Sequence, residues 1–231
     1  VGTNNPGYLH ALNASTGDLV WSYEIGENVW GSPTVADGVV YVGSWDDHIY
    51  ALGAATGDLL WTYKTGGDVF SSPAVANGVV YVTSKASGDD STPHVYALDA
   101  STGSLLWGQE TEGNFGIDAS PAVADGVVYV GSADSYVYAL DAATGDLVWS
   151  YDTKSRVYTK PFVVDGIVYV GTHALDATTG DLIWFYPTYA LVTSSPSVAD
   201  GVVYVGSSNG YIYALAAATG DLVWSYETDD Y

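Results

Sequence analysis

The stretch "ALDAATGDLVW", from Ala139 to Trp149, occurs six times in the chain with small changes. Each copy ends on a tryptophan, and these are Trp21, Trp61, Trp107, Trp149, Trp184 and Trp224. Successive tryptophans are 40, 46, 42, 35 and 40 residues apart. A period of this length is typical of four-stranded propeller blades and of helical repeats. The residues between the tryptophans distinguish propeller blades from helical repeats.

The segment from Ser195 to Trp224 shows the pattern within one repeat. Asp200-Gly201 is a two-residue hairpin signal, and "VVYVGS" and "YIYALAA" around it are rich in β-branched and aromatic residues. Four strands with a turn about every 10 residues follow from these signals. No helix-length window has a 3.6-residue period. We therefore predict an all-β chain, a β-propeller of four-stranded antiparallel blades that forms a single domain over residues 1–231.

The turns predict the number of blades. The Asp-Gly or Asn-Gly hairpin occurs five times, and the tryptophan-ending hairpin six times. The opening "VGT" is predicted to be the end of a second strand and "GYLHALNA" a third. We expect five full blades and one partial blade that lacks its innermost strand. They form either a six-bladed ring, closed by the partial blade against the last, or an arc of a larger ring. The unpaired strand edge favours self-association.

The charge of the chain is strongly negative. There are 27 Asp and Glu residues against 5 Lys and Arg, for a formal net charge of −22. This balance argues against a nucleic-acid surface and against anionic membranes. Such a chain repels itself in dilute buffer, and salt screens the repulsion, so we expect an extreme halophile. There is no Cys and no initiating Met, which predicts no disulfide and a processed or trimmed start.

The six phrases resemble the tryptophan-docking motif of quinoprotein-type, PQQ-like repeat β-propellers, and the "SPxVADGVVYVGS" segments resemble the inner hairpin of that family. The resemblance covers essentially the whole chain. It implies that each tryptophan docks on the Ala-x-Thr-Gly turn of a neighbouring blade and staples the two together. Rings of the family usually have eight blades, which implies an arc of an eight-bladed ring as the alternative to six blades.

The same resemblance implies several functions. Its enzymes hold pyrroloquinoline quinone (PQQ) with Ca²⁺ and in many members carry a disulfide of adjacent cysteines, which this chain cannot form. We therefore expect no PQQ and a non-catalytic scaffold that binds a protein or a ligand. By family analogy we expect the chain to be archaeal and extracytoplasmic. The alternatives are a PQQ-dependent oxidoreductase, or a fragment of one, and the sensor domain of a larger protein.

Two acidic loops are the candidates for a weakly bound cation. They are "SWDDH", with Asp46 and Asp47, and "SGDDST", with Asp89 and Asp90. Carboxylates suit Ca²⁺, but neither loop has the spacing of an EF-hand. His48 and His94 stand where other copies have tyrosine, so we interpret them as aromatic substitutes and not as ligands.

The copies differ most just before the innermost strand. Three residues before its proline they carry Trp30, Phe70, Asp118, Tyr158 and Thr193, and Lys160 replaces the serine that precedes the proline in the other copies. In a propeller these positions lie at the mouth of the central channel. They predict a mixed patch that binds a ligand or partner; the alternative is that bulky side chains plug the channel.

Two further departures from the repeat accompany this patch. Lys154, Arg156 and Lys160 form a basic group in an otherwise acidic chain, which we expect to pair with carboxylates or to dock an acidic partner. The loop between the second and third strands is long at Lys85–Pro93 and nearly absent at Gly171–Ala177. Variable loops on a rigid scaffold are where binding sites tend to lie.

Overall fold

A computed structural model describes residues 1–3, 7–85, 94–110 and 119–228. These residues form antiparallel strands, and none of their segments is a helix long and apolar enough to span a membrane. The partial blade contains β1 (Gly7–Leu12) and β2 (Leu19–Ile25). In each full blade the four strands pair in the order in which they follow along the chain.

The five full blades have these strands. The second blade of the arc contains β3 (Thr34–Ala36), β4 (Val39–Gly43), β5 (His48–Gly53) and β6 (Leu59–Lys64). The third contains β7 (Ala74–Ala76), β8 (Val79–Ser84), β9 (His94–Asp99) and β10 (Leu105–Glu110). The fourth contains β11 (Ala122–Ala124), β12 (Val127–Gly131), β13 (Tyr136–Asp141) and β14 (Leu147–Asp152). The fifth contains β15 (Phe162–Val164), β16 (Ile167–Val170), β17 (His173–Asp176) and β18 (Leu182–Phe185), and the sixth β19 (Ser197–Ala199), β20 (Val202–Ser207), β21 (Tyr211–Ala216) and β22 (Leu222–Glu227).

The predicted fold is confirmed: all-β, with five full blades and one partial blade. Gly2 forms a single bridge with Leu9, and the Thr3 amide donates to the Tyr8 carbonyl. Residues 1–3 are thus the end of a second strand beside β1, as predicted. The innermost hairpins turn where they were expected. Asp37 and Gly38 both have positive φ, 48° and 77°, which a tight hairpin turn requires and which the Asp-Gly pair tolerates.

The core lies between blades. Alternate residues of a strand point to opposite faces of its sheet, so each blade packs one face on the blade before it and the other on the blade after it. Between the second and third blades, for example, Tyr41, Ile49 and Trp61 pack with Val80 and Leu98, and all five are buried.

A tryptophan and a tyrosine dock together at each of four boundaries. The Trp61 Nε1 and the Tyr41 hydroxyl both donate to the Ala100 carbonyl, at 2.9 Å and 3.1 Å. The indole also covers Gly103, where an added Cβ would lie 2.7 Å from the ring, so only glycine fits. The next three boundaries repeat this contact with Trp107 and Tyr81 on Ala142, Trp149 and Tyr129 on Ala177, and Trp184 and Tyr169 on Ala217.

The two ends of the arc do not dock on each other. Trp224 is 45 % exposed and every residue of β22 is exposed, so Trp224 does not act as a blade staple here, contrary to the expectation for all six tryptophans. At the other end nothing lies within 4 Å of a Cβ placed on Gly17. Leu12 is 49 % exposed, although its equivalents in the five full blades are buried. The described residues therefore form an open arc.

Candidate functional site

A cavity of about 570 Å³ lies beside the fifth blade, where the repeat is shortest. Eight residues separate Val130 from Ala139 in the fourth blade, but only three separate Val170 from Ala174 in the fifth. The third strand β17 has four residues, whereas the third strand of the fourth blade has six. Thr172, whose carbonyl accepts from the Tyr186 amide, stands at the place of the fully buried Val137 of the fourth blade. The omitted connection leaves space next to Val157 and Val192.

The omission also removes a hydrogen-bond partner. In the fourth blade the Thr153 hydroxyl donates to the Ser135 carbonyl, which belongs to the connection before the third strand. The Thr153 hydroxyl also lies 2.6 Å from the Ser155 carbonyl. The fifth blade lacks that connection, and the Thr188 hydroxyl keeps only the equivalent of this second bond, to the Ala190 carbonyl at 2.8 Å. The segment around Thr188 and Tyr189 therefore borders the cavity, and Tyr189 is 96 % exposed.

Thr159 contributes a buried hydroxyl to the cavity wall. Its equivalents are bonded: the Ser71 hydroxyl donates to the Thr83 carbonyl, and the Ser194 hydroxyl accepts from the Gly206 amide. The corresponding backbone in the fifth blade is Gly171, where φ is 54° and the chain turns away. Among the described residues the Thr159 hydroxyl has no hydrogen-bond partner.

His173 occupies the third-strand position that is tyrosine in the other full blades. Its ring stacks on Phe185 with centroids 4.5 Å apart and meets Tyr151 edge-on. Burial lowers the pKa of His173 to about 4, because an imidazolium in this apolar packing loses its hydration. The ring is therefore neutral at neutral pH.

Two basic side chains stand at the rim of the cavity. Lys154 and Arg156 both line it, and both are exposed. The Lys154 ammonium lies 2.5 Å from an Asp152 carboxylate oxygen, and the Arg156 guanidinium donates to the Tyr158 hydroxyl at 3.1 Å. Lys160, the third member of the predicted basic group, is exposed but does not line the cavity. The structure thus separates Lys160 from the other two.

The predicted channel mouth divides into parts. Trp30 and Phe70 lie together with ring centroids 5.8 Å apart, and both contact Trp45, at 5.1 Å and 4.7 Å. Lys85 lies over the Phe70 ring at 5.0 Å. Tyr158 is not part of this group and contacts Arg156. Asp118 lies outside the described residues.

Trp30 owes part of its exposure to the partial blade. It is 63 % exposed and borders a gap of about 680 Å³ at the place where inner strands of that blade would pack. Val35, on the same side of the second blade, is also 63 % exposed. The sequence singled out Trp30 but not Trp45, whose indole nitrogen is buried without a partner among the described residues.

The serine that precedes the proline in four of the five full blades has a structural role that the sequence analysis missed. The Ser32 amide donates to the Ser72 hydroxyl, and the Ser72 amide donates to the Ser120 hydroxyl, both at 2.8 Å. The Lys160 amide continues the pattern by donating to the Ser195 hydroxyl at 3.0 Å. The Lys160 side chain has no hydroxyl, so it cannot accept a hydrogen bond from a backbone amide of the fourth blade as the serines do.

The first acidic loop uses its carboxylate to hold its own turn. One Asp46 oxygen accepts from the Tyr50 hydroxyl at 2.5 Å, and the other accepts from the His48 amide at 3.2 Å. Burial and this bond to Asp46 raise the pKa of Tyr50. Asp47, beside it, has a positive φ of 68°. Asp89 and Asp90 lie outside the described residues.

Within residues 1–3, 7–85, 94–110 and 119–228, no group of three or more His, Asp or Glu side chains is placed to hold a metal ion. The chain has no cysteine with which to form the disulfide.

Solved structures share the fold of this chain. BamB from Moraxella catarrhalis superposes with a TM-score of 0.80 at 22 % identity, over 97 % of this chain and 69 % of its own. A computationally designed protein, Ika8, superposes with a TM-score of 0.79 at 21 % identity, over 93 % of this chain and 66 % of its own. Quinohemoprotein alcohol dehydrogenase from Comamonas testosteroni superposes with a TM-score of 0.73 at 22 % identity, over 88 % of this chain and 43 % of its own.

These likenesses show the fold alone, and the chain spans less than half of the dehydrogenase. No curated protein sequence matches the chain. A family model does, in three overlapping segments, residues 5–114, 91–173 and 171–230. Together the segments cover nearly the whole chain, in agreement with the repeats and the blades. The chain belongs to the PQQ-like repeat family that is described as outer membrane protein assembly factor BamB.

Proposed function

We propose that this chain is a non-catalytic binding scaffold adapted to high salt, and that the cavity at the fifth blade binds a small organic anion with an apolar body. The observation that supports the proposal is that two departures from the repeat lie at the same place. The fifth blade lacks most of the connection between its second and third strands, and two of the five basic residues of the chain line the cavity there.

The chemistry of the cavity supports such a ligand. Val157, Val192 and Phe185 offer apolar surface, while Lys154 and Arg156 offer positive charge at the rim. The unpartnered Thr159 hydroxyl offers one hydrogen bond inside. The volume lies within the range of about 300 to 1,000 Å³ that is typical of small-molecule sites. The chain has a net charge of −22, which repels anions from most of its surface. We therefore expect an anion to bind at this basic rim in preference to other surfaces of the chain.

The test uses two fluorescent probes that differ in a sulfonate group. We expect 8-anilinonaphthalene-1-sulfonate to bind the chain more tightly than the neutral N-phenyl-1-naphthylamine. Arg156→Gln should weaken binding of the sulfonate about fivefold, the effect of one exposed charge contact worth about 1 kcal/mol, and should leave the neutral probe unaffected.

Lys64→Gln is the matched control, because Lys64 is an exposed lysine on another blade. It removes the same charge without touching the cavity. Equal binding of the sulfonate by Arg156→Gln and by the unmodified chain would contradict the proposal, as would equal losses in Arg156→Gln and Lys64→Gln.

The aromatic group at the channel mouth is the second candidate surface, because Trp30 is exposed beside Phe70 and Trp45. Trp30→Ala and Lys160→Ala discriminate the two places. If the cavity binds the probe, both substitutions leave the affinity unchanged. A loss confined to Trp30→Ala or Lys160→Ala would place the site at the mouth.

The proposal includes no bound cofactor and no redox step. Adding PQQ and Ca²⁺ should neither raise the melting temperature nor lead to reduction of a redox dye in the presence of an alcohol. Dye reduction that depends on the protein would contradict the non-catalytic function and favour the oxidoreductase. The family description, which refers to the outer membrane, supports an extracytoplasmic location. A sensor domain of a longer protein would use the same site.

A further inference from the structure

The connection between the second and third strands of a blade is a peptide turn that also binds the next segment of the chain. In the fourth blade it comprises residues 132–135, and the Ser135 amide closes the turn by donating to the Ser132 carbonyl at 3.2 Å. The Val157 amide donates to the Ser132 carbonyl at 3.0 Å, and the Thr153 amide donates to the Ser135 carbonyl at 2.9 Å. The first and last carbonyls of the turn are thus both hydrogen-bond acceptors.

The second blade repeats these contacts with its own connection, residues 44–47. The Val69 amide donates to the Ser44 carbonyl at 3.0 Å, and the Thr65 amide donates to the Asp47 carbonyl at 2.7 Å. The Thr65 hydroxyl donates to the same Asp47 carbonyl at 2.8 Å. A valine amide and a threonine amide with its hydroxyl therefore form a recurring receptor for one peptide turn.

The fifth blade retains this receptor but omits the turn. Thr188 stands at the place of Thr153 and is buried. Val192 stands at the place of Val157, and both residues border the cavity. Among the described residues neither amide has a hydrogen-bond partner, and the buried Thr159 hydroxyl in the same wall has none either. Buried polar groups are almost always paired, so these donors point to a ligand that carries carbonyl oxygens.

The turns of the second and fourth blades also carry a carboxylate that is bound by their own blade. Asp134 accepts from the Tyr138 hydroxyl at 2.6 Å, and Asp46 accepts from the Tyr50 hydroxyl at 2.5 Å. In the fifth blade His173 takes the ladder position of Tyr138 and lines the cavity. A neutral imidazole donates one hydrogen bond, so His173 offers a donor where those tyrosines offer their hydroxyls.

We propose that the cavity takes an acidic peptide turn of a partner protein, of the form Ser-x-Asp-x, which completes the fifth blade in trans. This inference rests on the proposed function, since it names the class of anion that binds. The first and last carbonyls of the turn accept from the amides of Val192 and Thr188, and its aspartate accepts from His173. Lys154 and Arg156 at the rim favour its negative charge.

The experiment records nitrogen–proton correlation spectra of the chain while an unlabelled peptide with blocked ends is added. The peptide, "GSADSY", copies residues 131–136. We expect the amide protons of Thr188 and Val192 to move downfield and to saturate, because each gains a carbonyl acceptor. The Thr153 and Val157 amides are the matched control within the same chain. They are already bonded to the connection of the fourth blade and should not move.

Two altered peptides test the carboxylate and the order of the turn. "GSANSY" has asparagine in place of the aspartate and should bind about fivefold more weakly, the effect of one exposed charge contact. "YSGDAS" has the composition and charge of the first peptide in another order, and it should move neither amide. In His173→Phe, which keeps a ring against Phe185, the difference in affinity between "GSADSY" and "GSANSY" should shrink, because their contact with the imidazole is lost.

Failure of this inference is distinguishable from failure of the proposed function. If 8-anilinonaphthalene-1-sulfonate binds at the cavity but "GSADSY" moves neither the Thr188 nor the Val192 amide at millimolar concentration, the peptide proposal is overturned and the anion site stands. Equal binding of "GSADSY" and "YSGDAS" would also overturn it. Movement of both amides by "GSADSY" without binding of the sulfonate would support the peptide turn and contradict the small organic anion.

Discussion

At the scale of single residues, the fifth blade differs from its neighbours by two polar groups in unusual positions. Thr159 has a buried hydroxyl that lost its backbone partner where Gly171 turns the chain. His173 stands in place of a tyrosine and stacks on Phe185. Neither group is needed to build a blade, since the other blades do without them. Both line the cavity beside the omitted connection.

His173 predicts an acid sensitivity of the fold. Its pKa is about 4 in the folded chain and about 6.5 in the unfolded chain. Between these values the unfolded chain binds more protons, so stability is complete above about pH 6.5 and is lost as the pH falls toward about 4. From about pH 7.5 to about pH 5 the His173 contribution falls by about 2 kcal/mol.

Urea unfolding of the unmodified chain and of His173→Phe at these two pH values measures that contribution. Carboxylates titrate alike in both proteins, so the difference isolates the histidine. The variant should lose about 2 kcal/mol less than the unmodified chain. Equal losses would show that His173 is not buried in the neutral form.

At the scale of elements, the outer strand of a blade docks on the next blade inside the arc, whereas the outer strand at the end of the arc is exposed. Strands β10 and β22 both begin with the last residues of the repeat phrase, but Trp107 is buried and bonded to Ala142 while Trp224 is exposed. Trp107→Ala should therefore cost about 3 kcal/mol of the free energy of unfolding, the range for a buried aromatic side chain.

Trp224→Ala is the matched comparison, measured in dilute protein at moderate salt so that the chain is monomeric. It should change the free energy of unfolding by less than about 0.5 kcal/mol, as an exposed substitution does. A cost for Trp224→Ala equal to that for Trp107→Ala would mean that the first and last blades dock within one chain.

The strands were predictable from the sequence because their signals are local. Asp-Gly turns and alternating β-branched residues depend on neighbours a few positions away, and six copies reinforced each other. The docking partner of each tryptophan came from the resemblance alone. Whether the ends dock was not predictable, since the phrase that ends at Trp224 differs from the one that ends at Trp149 only by Ala216 in place of Asp141. Only the position of a blade in the arc separates them.

The site was partly predictable. The shortened segment Gly171–Ala177 and the basic residues Lys154 and Arg156 stood out as departures from the repeat, and the structure places them at one cavity. The residues before the prolines were predicted to form one patch, but Trp30 and Phe70 lie with Trp45 while Tyr158 lies with Arg156. Positions that align in sequence stand in different blades, so alignment could not show which of them meet.

At the scale of the whole molecule, repeated contacts at the blade boundaries form the scaffold, and the omitted connection in the fifth blade forms the cavity. Four boundaries repeat the same pair of donors on one carbonyl, and this gives a rigid arc. The fifth blade keeps its boundary contacts through Trp149 and Trp184. It can therefore omit five residues of loop and strand without losing its place, and the space becomes available to a ligand.

The most direct test restores the omitted segment. In the restored chain, "GSADSYVY" from Gly131–Tyr138 replaces Gly171–His173, which gives the fifth blade the connection of the fourth. The measurement is the affinity for 8-anilinonaphthalene-1-sulfonate, with the melting temperature as the check of folding. Our account predicts that sulfonate binding falls to background while the melting temperature stays equal or rises, because the cavity is filled. Unchanged sulfonate binding by a folded, restored chain would contradict it.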